Sequence, residues 1–260
     1  MKPLSELRDA TRLRGLLFDI DDTLTTEGRL TAEAYSALER LHASGRRTIA
    51  VTGRPAGWCD HIARMWPVDA VVGENGAFYF RFEGGKLRKR HHDGNAERAA
   101  KRARLGAITE RILAAVPGCA LSSDQPYREA DLAIDYCEDV PRLPLEDAER
   151  IAALMRDAGL TAKVSSIHVN GWFGEYDKLA MTRTLFAEAF DTDLDATHAD
   201  YAFAGDSPND APMFAYFAHS VGMANARRFA GHLAAEPKYV TQHEAGAGFA
   251  ELVRHLLGAP

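Results

Sequence analysis

Gly15-Leu16-Leu17-Phe18-Asp19-Ile20-Asp21-Asp22-Thr23 decides the fold of this chain. A short apolar run is halted by an acid. A run of that length suits a strand buried on both faces, as in a parallel sheet. Alternation along an extended chain sends Asp19 and Asp21 to the same side. Two carboxylates that close repel each other, and burial raises their pKa values unless a cation neutralises them. A single Asp at such a place also serves as a helix N-cap or Asx turn, so the stretch by itself leaves a structural and a chemical reading open. A calcium loop starting at Asp19 is excluded, because Leu24 and Leu30 stand where it needs Gly and Glu.

Working outward, residues 31–44 carry Tyr35, Leu38 and Leu41 at helical spacing, with Gly45 as the stop. A second strand over 48–51 ends at Thr52-Gly53-Arg54-Pro55. A helix to about Trp66 and a strand over 70–72 follow. This is the βαβ rhythm of a parallel α/β sheet. The rhythm changes after Gly73. Residues 77–82 and 86–88, joined by Gly84-Gly85, read as a hairpin. Then come a helix over about 97–116, strands near Ala120 and over 131–136, a helix over about 145–158, and strands over 162–164 and 166–169. This middle stretch reads as a separate α+β unit with an antiparallel sheet. The α/β rhythm resumes at Asp177 with a helix over Lys178–Phe190, a strand over 201–204, a helix over 208–216, strands at 220–221 and 237–241, and a closing helix over 248–257. The expected fold class is therefore α/β, a Rossmann-like doubly wound parallel sheet interrupted by an inserted α+β unit. The expected core comprises residues 1–80 and 177–260, and the insertion residues 81–176.

Composition removes several classes. The 260 residues are 46% apolar and 26% charged with a formal net charge of −6, an ordinary globular balance. An acidic chain lacks the basic footprint of a nucleic-acid binder. No stretch approaches a membrane span, and the N-terminus has no hydrophobic signal core. Cys59, Cys119 and Cys137 are odd in number and widely spaced, which disfavours a disulfide framework and points to a reducing cytoplasm. Neither nucleic acid nor membrane is therefore an expected partner, and the expected state is a monomer or homodimer.

Gly205-Asp206-Ser207-Pro208-Asn209-Asp210 closes another strand and opens a helix, adding two carboxylates at the same sheet edge, where open α/β sheets bind ligands. Asn209 stands where a serine-hydrolase elbow needs Gly. Neither a GxxxxGK[ST] loop nor a GxGxxG fingerprint occurs after a strand. An oxygen-only set of Asp side chains suits Mg²⁺. Thr52 offers a hydroxyl and Gly53 an unhindered N–H for phosphate oxygens at a helix start. Lys178 at a helix start runs against the dipole preference for acids, so it has either a partner or full solvation.

Taken together and in order, DIDDTLT, VTGRP, the Lys178 of EYDKLA and GDSPND resemble the four motifs of the haloacid dehalogenase superfamily of phosphatases. The resemblance implies that Asp19 is the nucleophile and Asp21 the acid and base. Thr52 and Lys178 would contact the transferring phosphoryl group, with Gly53 and Asn209 beside it. Mg²⁺ would lie among Asp19, Asp21, Asp206 and Asp210. Asp22 replaces a Gly common there in close relatives. An insertion between the second and third motifs, with Gly73-Glu74-Asn75-Gly76-Ala77 at its entry, is similar to the caps of subfamily IIB: Cof-like, sucrose-phosphate, trehalose-phosphate and mannosyl-3-phosphoglycerate phosphatases. Arg54, Arg128, His168 and Asn170 are the candidates for reading the substrate, or else members of an ordinary strand and loop. The basic run at 86–92 is expected to be a solvated hairpin edge. The implied activity is Mg²⁺-dependent hydrolysis of a phosphate monoester, a sugar phosphate or glycosyl-phosphoglycerate. A phosphomannomutase-like phosphomutase and a non-catalytic sugar-phosphate-binding protein are the alternatives.

Overall fold

In the computed structural model, which describes residues 1–258, β1 (Lys2–Pro3) is followed by β2 (Gly15–Phe18), α1 (Ala32–Ala43), β3 (Arg47–Val51), α2 (Ala56–Met65) and β4 (Ala70–Gly73). The hairpin of β5 (Phe78–Glu83) and β6 (Lys86–His91) comes next. The inserted segment holds α3 (Asn95–Ala103), α4 (Leu105–Ala115), β7 (Ala120–Leu121), β8 (Leu132–Asp135), α5 (Leu145–Asp157), β9 (Thr161–Val164) and β10 (His168–Trp172). The chain then returns through α6 (Lys178–Phe190), α7 (Leu194–Thr197), β11 (Tyr201–Gly205), α8 (Ala211–Tyr216), β12 (His219–Gly222), β13 (Tyr239–Val240) and α9 (Ala245–Leu257).

A nine-stranded sheet in the order β1-β13-β12-β11-β2-β3-β4-β5-β6 forms the larger layer. β2 pairs in parallel with β11 on one side and β3 on the other. Every residue of β2 is buried because both faces are covered. Leu16 and Phe18 pack with Leu38, Leu41, Ile62, Phe249 and Leu252, residues of α1, α2 and α9. Leu17 packs on the opposite face with Met181, Leu185, Phe186, Met213 and Phe214 of α6 and α8. The doubly wound core is thus the structure of the alternation itself. Thr31 caps α1 by accepting from the Ala34 amide, and Asp177 caps α6 by accepting from the Ala180 amide at 2.8 Å. Each such cap contributes about 1 kcal/mol.

The hairpin differs from expectation. β5 pairs antiparallel with β4 and β6 with β5, so both strands extend the larger sheet rather than opening the inserted unit. Phe78 and Phe80 explain this, since both are buried in the cluster on the α2 face. In sheet pairing, the core therefore reaches His91, beyond the boundary at residue 80. β6 is the outer strand, and its basic side chains lie mostly exposed, with Lys89 near Asp60 and Arg90 near Glu188.

The inserted segment carries a four-stranded antiparallel sheet, order β7-β8-β10-β9. Leu105, Ile112, Ile151 and Met155 of α4 and α5 pack on one face with Leu132, Ile134 and Val169. A single helix over 97–116 is not found. It is divided at Arg104 into α3, which buries nothing, and α4, which buries Leu105 and Ile112. Alternation along β10 sends His168 and Asn170 to the opposite face, toward the larger sheet, where both are buried.

Entry to and exit from the intervening segment lie against each other. A Cβ on Gly76, whose φ is +108°, would stand 2.0 Å from the carbonyl oxygen of Asp177, so this position requires glycine. Among the described residues no helix is long and apolar enough to cross a membrane, and all three cysteines are free thiols.

Candidate active site

β11, β2 and β3 are neighbours in the sheet, and their carboxyl ends deliver Asp206, Asp19 and Thr52 to one edge. Asp19, Asp206 and Asp210 are buried, with one carboxylate oxygen from each within 4.8 Å of the others. Lys178 resolves the question its position raised. Its side chain is 1% exposed, and Nζ donates to Asp19 Oδ1 at 2.6 Å and to Asp210 Oδ1 at 2.7 Å. Burial disfavours the ammonium, but Asp19 and Asp210 outweigh it and hold the Lys178 pKa above its ordinary value. Burial pushes the Asp19 carboxyl up to about 8, with Lys178 opposing and Asp210 and Asp21 adding. Burial also lifts Asp206 well above the carboxylate range, reinforced by Asp19 and Asp210.

Three carboxylates share a pocket with one ammonium, an excess of negative charge that a divalent cation would neutralise. The donor set fits a hard ion, being all oxygen. Asp210 is already committed: Oδ1 accepts from Lys178, and Oδ2 accepts from the amides of Asp206 and Ser207. Gly205 permits that approach, since a Cβ there would lie 2.4 Å from Asp210 Oδ2. Asp206 is held from the sides by Asn225 Nδ2 at 3.0 Å and Thr23 Oγ1 at 3.4 Å. Asp19 and Asp206 are consequently the two acids with capacity for a direct bond, and Asp210 orients Lys178 and the loop.

Thr52 is buried, and its Oγ1 accepts from the Arg54 amide at 3.0 Å. Asn209 Nδ2 donates to Asn75 Oδ1 at 3.1 Å, while Asn75 Nδ2 is buried without an acceptor. A Cβ on Gly53 would stand 3.2 Å from that orphaned nitrogen, so the glycine keeps the space beside it open.

A second charged group lies above. Arg54 Nε donates to both oxygens of Asp21 at 3.0 and 2.9 Å, Nη2 reaches Glu138 Oε1 at 2.5 Å, and Nη1 stands 3.5 Å from Asp124. Glu138 also meets His168 Nε2 at 2.8 Å. Burial of Glu138 opposes its charge, but His168 and Arg54 hold its pKa down to about 2. Arg128 donates to Asp124 at 2.8 Å, to Asp131 at 2.9 Å and to the Gly53 carbonyl at 2.9 Å. Asn170 donates to Asp131 at 2.9 Å. Arg54, His168 and Asn170 therefore line the narrow cleft, Asn170 also holding Asp131, whereas Arg128 is occupied in joining the inserted unit to the core through the Gly53 carbonyl. The space left between Asp19, Asp21, Arg54 and residues 165–168 is about 10 Å³.

Sequence reasoning missed the acids of this junction. Glu74 accepts four amides, from Ala56, Glu129, Ala130 and Asp131, at 2.9, 2.8, 2.6 and 3.1 Å. Burial raises its pKa to about 8, with Asp131 adding and Arg128 and the amides opposing. Its place in the Glu74-Asn75-Gly76-Ala77 stretch was the available signal. Asp124 and Asp131 offered the local spacing of four before and three after Arg128, whereas Glu138 gave no signal, because its partners Arg54 and His168 are distant in sequence.

The geometry agrees with known proteins. The model of the haloacid dehalogenase-like hydrolases matches residues 16–99 and 185–253, on either side of most of the inserted unit. A phosphoglycolate phosphatase of Haloarcula marismortui is 28% identical over 241 residues, covering 92% of this chain and 95% of its own. The sucrose-phosphatase of Synechocystis, solved with sucrose and phosphate, superposes with a TM-score of 0.61 at 15% identity, over 94% of this chain and 98% of its own. A sugar phosphatase of haloacid dehalogenase subclass IIB gives 0.61 at 16% identity, over 93% and 98%. With its sheet order, its buried Asp–Lys cluster and a family match over more than half its length, the chain belongs to the haloacid dehalogenase-like hydrolases.

Proposed function

We propose that the protein is a Mg²⁺-dependent phosphatase that hydrolyses a phosphate monoester of a small metabolite, a sugar phosphate or a glycosyl-phosphoglycerate, through a phosphorylated Asp19. The observation that carries this reading is the buried contact of Lys178 with Asp19 and Asp210 beside Asp206. A bound divalent cation would neutralise phosphoryl charge and the Asp19–Asp206 repulsion, which is most of what phosphoryl transfer asks of a protein.

Asp19 attacks phosphorus through one carboxylate oxygen while the bond to the leaving oxygen breaks, and Asp21 donates its proton to that oxygen. Asp21 then takes a proton from water, whose oxygen attacks the aspartyl-phosphate and releases inorganic phosphate. Splitting one displacement into two lowers each barrier. Asp21 must exchange Arg54 for the leaving oxygen, and Glu138 and Asp124 remain to hold the guanidinium when it does. Thr52, the Gly53 amide, Asn209 and the orphaned Asn75 Nδ2 are the neutral donors for phosphoryl oxygens. Arg54 and His168, at the mouth of the cleft, are the proposed readers of the leaving group. The phosphatase and sugar-phosphatase relatives support a small phosphorylated substrate, and the free thiols support a reducing compartment.

The test is phosphate release from a panel of sugar phosphates and phosphoglycerate conjugates. Turnover should require Mg²⁺ and vanish in Asp19→Asn with the far-ultraviolet circular dichroism unchanged. Full activity in that variant would end the reading.

A further inference from the structure

A larger space than the cleft beside Arg54 also borders the acidic cluster, at Asp206. A cavity of about 430 Å³ opens there between the core and the inserted unit, within the range of small-molecule sites, whereas the Arg54 side offers about 10 Å³. Arg228 of the core and Arg142 of the inserted unit both line it. Arg142 makes no ion pair among the described residues. Arg228 pairs with Glu244, but the two side chains are 60% and 56% exposed, a pairing of little energetic weight.

Asp22 and Asp206 are the carboxylates of the lining. Asp206 also belongs to the metal-type cluster, so Asp22 is left to face two guanidiniums. Tyr136 and Phe229 supply apolar wall. Ser166 is common to the walls of this larger cavity and of the narrow cleft over Asp19 and Asp21.

We propose that the part of the substrate beyond the scissile phosphate lies in this cavity and carries a second anionic group, a carboxylate or phosphate, held between Arg142 and Arg228. Because the two guanidiniums come from opposite sides of the junction, that anion also ties the inserted unit down over the site. The proposal rests on the phosphatase reading and narrows its substrate class to phosphate monoesters with a second negative charge on a partly apolar body.

The experiment compares phenyl phosphate with 4-carboxyphenyl phosphate on the full chain with Mg²⁺. The wild type should prefer the carboxylated ester by about tenfold or more in kcat/KM. Arg142→Ala and Arg228→Ala should each reduce that ratio about tenfold, mainly through KM, the scale of one charge contact. Arg142→Lys should recover part of it. A wild type that hydrolyses both esters equally, or a ratio unmoved in the variants, overturns the proposal and leaves the phosphatase reading intact. Hydrolysis of neither ester counts against the phosphatase reading instead. In that event, calorimetric binding of 4-carboxybenzylphosphonate and benzylphosphonate to Asp19→Asn protein decides the subsite. Preference for the carboxylated compound that is lost on Arg142→Ala supports it, and equal binding refutes it.

Discussion

Replacing Lys178 by Met removes the ammonium between Asp19 and Asp210 while keeping the side chain's approximate length. Its Nζ makes contacts of 2.6 and 2.7 Å from a side chain only 1% exposed. Breaking such a buried pair by deleting one partner costs on the order of 3–5 kcal/mol. The variant has one escape, which is to keep a proton on Asp19. Burial already raises that carboxyl to about 8 against the opposing pull of Lys178, and without Lys178 it rises further. A folded-state pKa above the unfolded value means that the folded chain holds a proton the unfolded chain has lost, so stability falls as pH rises through that window. Above about pH 8 wild-type Asp19 ionises while the variant's does not, so the variant's deficit should widen there by about 1.4 kcal/mol per pH unit. Urea unfolding with a chelator present, at about pH 7 and about pH 9, reads this directly. A deficit identical at both pH values, or a variant as stable as the wild type, would refute the placement of Lys178 as the counter-charge of this cluster. Turnover should also fall by about 10²–10³-fold, the usual cost of losing one donor to developing charge.

Further outcomes follow from the same geometry. Arg128→Met should cost about 3–5 kcal/mol in urea unfolding, because it strands the buried Asp131 without its cation and leaves Asp124 only the more distant Arg54; a variant with wild-type stability and a raised KM would instead make Arg128 a substrate contact. In Glu74→Gln one acceptor oxygen remains for four amides, so two are orphaned at about 1–3 kcal/mol each. Relief of the buried acid returns part of this, and a net loss of about 2 kcal/mol is expected in the same assay; no loss would contradict the four-amide clamp. Mg²⁺ should raise the melting temperature more at about pH 8 than at about pH 6, since Asp19 and Asp206 must shed protons to bind it. An equal shift at the two pH values would count against those two acids as its ligands.

The catalytic edge was legible because its signals are local. An apolar run ended by Asp19, and similar endings at Thr52 and Asp206, state both the strand and the point where its carboxyl end meets solvent. Lys178–Phe190 was readable as a helix with the bounds found in the structure, but the partner of Lys178 was not, because Asp19 lies at the other end of the chain. The hairpin at 78–91 was assigned to the wrong sheet for a related reason. Its strands are legible, yet nothing local says that Phe78 and Phe80 find α2 rather than the inserted helices. The junction was the least legible part. Arg54 was named for substrate, but its contacts with Asp124 and Glu138 are set by how two sheets face each other, and no periodicity encodes that.

The abutment of Gly76 and Asp177 has a wider consequence. The polypeptide that passes Gly76 returns to nearly the same point at Asp177, so topologically everything between, the β5–β6 hairpin on the edge of the larger sheet included, is one long loop whose ends the core already holds together. The entropic cost of closing such a loop grows only with the logarithm of its length. The intervening segment can therefore be lengthened, shortened or exchanged over evolutionary time while Asp19, Lys178 and Asp206 keep their positions.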